Sequence, residues 1–163
     1  MAVSSVRAKD TPEAQLLSLI EKFDPKDQRL IRSVRSAVRK RLPTANELVY
    51  DYGNSLVIGY SPTDRGIDAI VSITARAAGV DLYFNDGAQL PDPKKFLLGS
   101  GKQTRFIRVD AASRLAHPDV KALIAAAIDY AIVPLPSTAK GSLIIKTNKA
   151  GAAKQRPRRR PTK

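Results

Sequence analysis

Cysteine is absent from the 163 residues. Its absence excludes disulfides, thiolate nucleophiles and Cys-based zinc or iron–sulfur centres. Histidine occurs once, at His117, which leaves transition-metal chemistry without a second imidazole to work with. No apolar run approaches the ~20 residues needed to cross a bilayer; the longest, Ala122 to Ile128, is closed by Lys121 and Asp129. The opening MAVSSVRAKD has no apolar core and no cleavage pattern, so the expectation is a soluble, cytoplasmic protein with no membrane partner. Acidic residues stop at Asp129, and nine of the 28 Lys and Arg residues lie beyond it. The preceding part sets 19 basic against 15 acidic residues, so most of the net charge of +13 belongs to the C-terminal end. A charge-based case for nucleic-acid binding therefore concerns that end first.

What is present reads as one α+β domain. Thr11-Pro12-Glu13 carries a hydroxyl cap, a proline where its missing N–H costs nothing, and an acid in the positive first turn. Leu16, Leu17, Ile20 and Phe23 give that helix its apolar face. Asp24-Pro25-Lys26-Asp27 repeats the start signal for a second helix, about Pro25 to Arg41. On it Leu30, Ile31, Val34, Ala37 and Val38 share one arc, and Arg29, Arg32, Arg35, Arg39 and Lys40 are placed outward on the other. Leu42-Pro43 ends the helix. Strand-like runs follow: Leu48/Tyr50/Tyr52, a Gly53-Asn54 hairpin turn, Leu56/Ile58/Tyr60, an alternation from Ile67 to Ala75, then Val80/Leu82/Phe84. A long Gly/Pro/Lys-rich connection, functional or anchored by Phe96, Leu97 and Leu98, leads to Arg105–Val109. His117, read as a cap or surface residue, opens a last helix with Val120, Leu123, Ile124, Ala127 and Ile128 at the helical period.

The expected architecture is an antiparallel sheet of about five strands covered by N-terminal and C-terminal helices. It spans residues 11–133, between a flexible N-terminus at 1–10 and a basic, largely disordered tail at 134–163. Leu143-Ile144-Ile145 is a candidate edge strand within that tail. Val34, Ile58, Val71, Leu82, Ile107 and Leu123 are expected to meet in one core.

Chemistry-bearing patterns are few. The segment Gly99 to Arg105 is not a Walker loop: the first glycine is missing and Gln103 stands where a Ser or Thr would hold magnesium. Its backbone N–H groups nonetheless suit an anion nest, with Gly99, Gly101, Lys102, Arg105 and Arg108 as the candidate ligand-binding residues; the strand tyrosines Tyr50, Tyr52, Tyr60 and Tyr83 are the other place where a small ligand is expected. Arg156, Arg158, Arg159 and Arg160 form an extended guanidinium cluster suited to nonspecific phosphate contacts. No elbow motif or Asp–His spacing is present, and no catalytic residue, metal ligand or cofactor is assigned.

The Pro43-to-Gly53 segment (P-x-x-x-E-L-x-Y), VIGYSPT, VDLYF and above all LLGSGKQTRFIRV at Leu97 to Val109 resemble the YdhG-like domain family of bacteria over about residues 11 to 132. The resemblance implies a cytosolic α+β domain with a helix-covered antiparallel sheet, distantly similar to frataxin. One branch of that family is connected with intracellular iron delivery, so iron handling is an inherited alternative; a frataxin-type acidic ridge is missing, because the corresponding helix is basic. The first reading is a non-enzymatic cytosolic binding or accessory protein, taking an anionic ligand on the fold or nucleic acid on the tail. An unrecognised enzyme is the third reading.

Overall fold

The computed structural model describes residues 11–147. The two proline-led helix starts fold as their sequences predict. Thr11 Oγ1 accepts from Ala14 N–H at 3.1 Å and opens α1, Pro12–Ile20. Pro25 opens α2, Pro25–Arg41, whose end at Leu42 has φ −127° and ψ 61°, outside the helical region as the following proline requires. The hairpin between β1 (Asn46–Asp51) and β2 (Ser55–Ser61) turns at Gly53, whose φ of +84° favours glycine. β3 is Val71–Arg76, β4 Gly79–Phe84 and β5 Arg105–Arg108. The last helix, α3, runs Pro118–Tyr130, with the His117 ring accepting from Asp119 N–H as its cap.

Two features depart from expectation. Alternation from Ile67 does not begin a strand: Gly66–Asp68 forms a 3-10 turn, Ile67 is 74% exposed, and β3 starts at Val71. More consequentially, the candidate edge strand at Leu143-Ile144-Ile145 is present as β6, Leu143–Thr147, but it pairs parallel with β1 through Glu47↔Leu143, Leu48↔Ile144 and Val49↔Ile145. The sheet is therefore mixed, in the order β5-β4-β3-β2-β1-β6, rather than five antiparallel strands, and residues up to Thr147 belong to the fold instead of the tail.

One sheet face carries Val49, Ile58, Ile73, Leu82 and Ile107 into a single core with Leu16 and Ile20 of α1, Val34 and Val38 of α2, and Leu123 and Ile124 of α3. All six residues expected to meet there do so. The β4–β5 connection is anchored: Asp92 accepts from the N–H groups of Phe96 and Leu97, both pack against the core, and Leu98 bridges Phe106 while remaining 48% exposed.

Candidate functional site: a basic cleft beside β1

On α2 the buried positions are Ile31, Val34, Arg35 and Val38, an i, i+3, i+4, i+7 stripe in which one member is an arginine. The sequence reading placed Arg35 outward; it is 7% exposed. Such a guanidinium must be paired, because an unpaired buried charge carries a desolvation penalty of several kcal/mol. It is paired twice. Arg35 Nε and Nη2 donate to the two oxygens of Glu47 at 2.9 Å, and Nη1 and Nη2 donate to those of Glu13 at 2.8 and 2.9 Å. Glu47, itself 4% exposed, also accepts from Tyr60 Oη at 2.8 Å and lies 3.5 Å from Arg39 Nε. Three elements, α1, α2 and the β1–β2 pair, are thus fixed to one another by a closed polar network.

The network sets the charge state of its members. Burial works against the Arg35 cation, but the hydrogen bonds and charges of Glu13 and Glu47 outweigh it and hold the guanidinium above its ordinary pKa. The hydrogen bonds from Arg35 bring the Glu13 carboxyl below its usual value against the opposing effect of burial. Burial, then the neighbouring Glu47 charge, pushes the Tyr60 phenol well above its usual value.

Beside this network opens a cleft of about 600 Å³. Its α2 wall presents Arg32, Arg39 and Lys40 outward from the paired Arg35; the Pro43–Ala45 turn forms its end, and the segment 137–140 brings Lys140 across from the other side. Ser36, Thr44, Ser137 and Thr138 add hydroxyls. Of five cations lining it, Arg35 is paired with Glu47 and Glu13 within the wall and Arg39 shares Glu47 at 3.5 Å, leaving Arg32, Lys40 and Lys140, with the outward part of Arg39, to act on the space. Part of the Arg39 and Lys40 charge offsets the negative end of the α2 dipole. The remainder is a concentration of positive charge in a partly desolvated hollow, which favours anions.

The sequence-selected loop lies four strands away, at the β5 edge of the sheet. Gly99 has the φ of +109° that its turn needs, but two nearby cations are already engaged. Arg105 Nη1 donates to the carbonyls of Gly101 and Thr104. Arg108 donates to the Ala78 carbonyl at 2.8 Å, and its Nε sits 3.1 Å from Asp81 Oδ1, an ion pair without hydrogen-bond alignment. Lys102 is exposed. The tyrosines do not converge on this loop: Tyr60 is in the core network, Tyr50 and Tyr52 stack on each other at 6.1 Å, and Tyr83 stacks on Phe106 at 5.0 Å. Arg156, Arg158, Arg159 and Arg160, like residues 1–10, lie outside the described residues.

Among the described residues no three His, Asp or Glu side chains cluster as a metal site, and no helix is long and apolar enough to cross a membrane. Comparison with protein-family profiles, with curated proteins and with solved structures returns no match.

Proposed function

We propose that the protein is a non-enzymatic cytoplasmic binding or accessory protein, of the YdhG-like kind that its loop motif resembles, whose basic cleft takes a compact, multiply charged anion such as a polyphosphate or a phosphorylated small molecule. The observation that carries this reading is the convergence of Arg32, Arg39, Lys40 and Lys140 on one hollow whose buried carboxylate, Glu47, is already engaged by Arg35. Guanidinium forks and ammonium groups match phosphate oxygens. The cleft lining contains no aromatic ring, so recognition rests on charge and hydroxyl donors and not on stacking against a base.

A calorimetric titration with tripolyphosphate tests it. Saturable one-to-one binding that weakens as salt rises is expected, and Arg39→Ala combined with Lys40→Ala should weaken it by about tenfold or more, a loss of ~1.4 kcal/mol or more. Lys102→Ala should leave the titration unchanged. The reverse pattern, loss with Lys102→Ala and none with the α2 variants, would move the site to the loop from Gly99 to Arg108.

A further inference from the structure

Resting on the cleft reading above, we infer that Gly141 is a positioning residue for anion binding: it sets Lys140 into the cleft, and cleft occupancy is thereby linked to the docking of β6. The two long walls of the cleft differ in how they are held. The α2 wall is fixed by the Arg35 network and by core packing. The opposite wall, 137–140, lies between the end of α3 and the start of β6 and has no helix or strand of its own. Its attachment is at the next residue. Gly141 N–H donates to the Pro43 carbonyl at 3.1 Å, and a Cβ built at Gly141 lands on the Ala45 carbonyl group, so this crossing is made at a backbone separation that only glycine permits. From there the chain is tied on immediately, by Ser142 N–H to Asn46 Oδ1 at 2.9 Å and Glu47 N–H to the Ser142 carbonyl at 2.8 Å, and continues as β6.

Lys140 thus reaches the cleft only while the crossing and the strand are in place. A ligand that touches both Lys140 and the α2 cations fastens the C-terminal segment to the helix. It binds the docked form of β6 more tightly than the undocked one, and by reciprocity it stabilises docking by the same factor. Glu47 sits in both arrangements, pairing its carboxylate with Arg35 and its backbone with the strand, so the cleft wall and the β6 ladder share a residue.

The experiment uses the full chain with tripolyphosphate as probe. Affinity is measured for the unmodified protein, Lys140→Ala, Gly141→Ala and the double variant, with a thermal melt on each. Lys140→Ala is expected to weaken binding severalfold, Gly141→Ala at least as much, and Lys140→Ala should cost nothing further in the Gly141→Ala background, which is the signature of a coupled pair. Unaltered affinity in Gly141→Ala, or the same cost of Lys140→Ala in both backgrounds, overturns the inference. Hydrogen exchange on the unmodified protein keeps it testable even if Gly141→Ala does not fold. If opening of β6 abolishes binding, ligand at about 100 times Kd should slow exchange through that opening at the Leu143–Thr147 amides by about a hundredfold. Unchanged exchange beside a saturating titration overturns the linkage and leaves the cleft standing; absence of saturable binding in the unmodified protein overturns both.

Discussion

Arg35 and Glu47 meet on the core side of the domain, and removing Arg35 would leave Glu47 a buried carboxylate with Tyr60 Oη and the more distant Arg39 as its side-chain partners. Removing one partner of such a pair costs ~3–5 kcal/mol. Arg35→Met should therefore lower unfolding stability by about that much in urea, and pairing it with Glu47→Leu should recover part of the loss, since no charge is then stranded. The network also predicts a pH profile. Glu13 has its folded pKa below the unfolded value of ~4.3, so its contribution is present above that pH and is lost as pH falls through the folded value. With its side chain 51% exposed, the effect is modest. Tyr60 has its folded pKa above the unfolded value of ~10, so its contribution is complete below that pH and is lost as pH rises through the folded value. Melting temperature measured against pH should thus fall on both flanks, with the acid slope reduced in Glu13→Gln; an acid flank identical in Glu13→Gln would remove Glu13 from the account.

At the scale of elements, the truncation to examine ends at Ser142. The core cluster draws on all three helices and β1 to β5 without needing β6, while β6 covers Leu143 and Ile145 against that cluster as partly buried neighbours. A chain ending at Ser142 should still melt cooperatively, at a lower temperature, because it loses the strand but not the core; loss of the cooperative transition would show β6 to be indispensable. How far these elements could be read from the residues follows from the range of the signals. The ends of α1 and α2 are written in Thr11-Pro12, Pro25 and Leu42-Pro43, all local. Arg35 was misplaced because it stands about 40° from Ile31 on the helical wheel, on the border of the apolar arc, and charge alone argued for solvent. Glu47 and Asp51 share the β1 face with Val49, an alternation that marks a buried acid only once a buried arginine opposite is known. The antiparallel strands announced themselves through turns such as Gly53-Asn54. β6 showed as the apolar run Leu143–Ile145 but has no such turn to name its partner, which is remote and parallel, and the cleft it completes was hidden with that pairing.

For the molecule as a whole, charge divides between the folded part and the C-terminal end. Nonspecific nucleic-acid binding by Arg156, Arg158, Arg159 and Arg160 engaging about five phosphates together with neighbouring bases would give a slope of log K against log salt near −4.5 on duplex DNA. A chain ending at Thr147 keeps β6 and Lys140 and so isolates the contribution of the end. It should lose most of the affinity and the slope; equal affinity in the two chains would place the binding on the cleft and the α2 surface instead.

The parallel pairing of β1 with β6 joins Asn46 to Ser142, 96 positions apart, and this fixes an order of events during synthesis. Every helix, and strands one to five, emerge from the ribosome before residue 143 does. Until then the outer N–H and C=O groups of β1 form an open sheet edge of the kind that recruits foreign strands. Closure of so long a loop is among the slower steps available to a small domain, and it is the step that carries Lys140 over the Pro43–Ala45 turn. A nascent chain with that core folded would hold half a cleft, and would complete its basic lining at the moment its first strand loses its exposed edge.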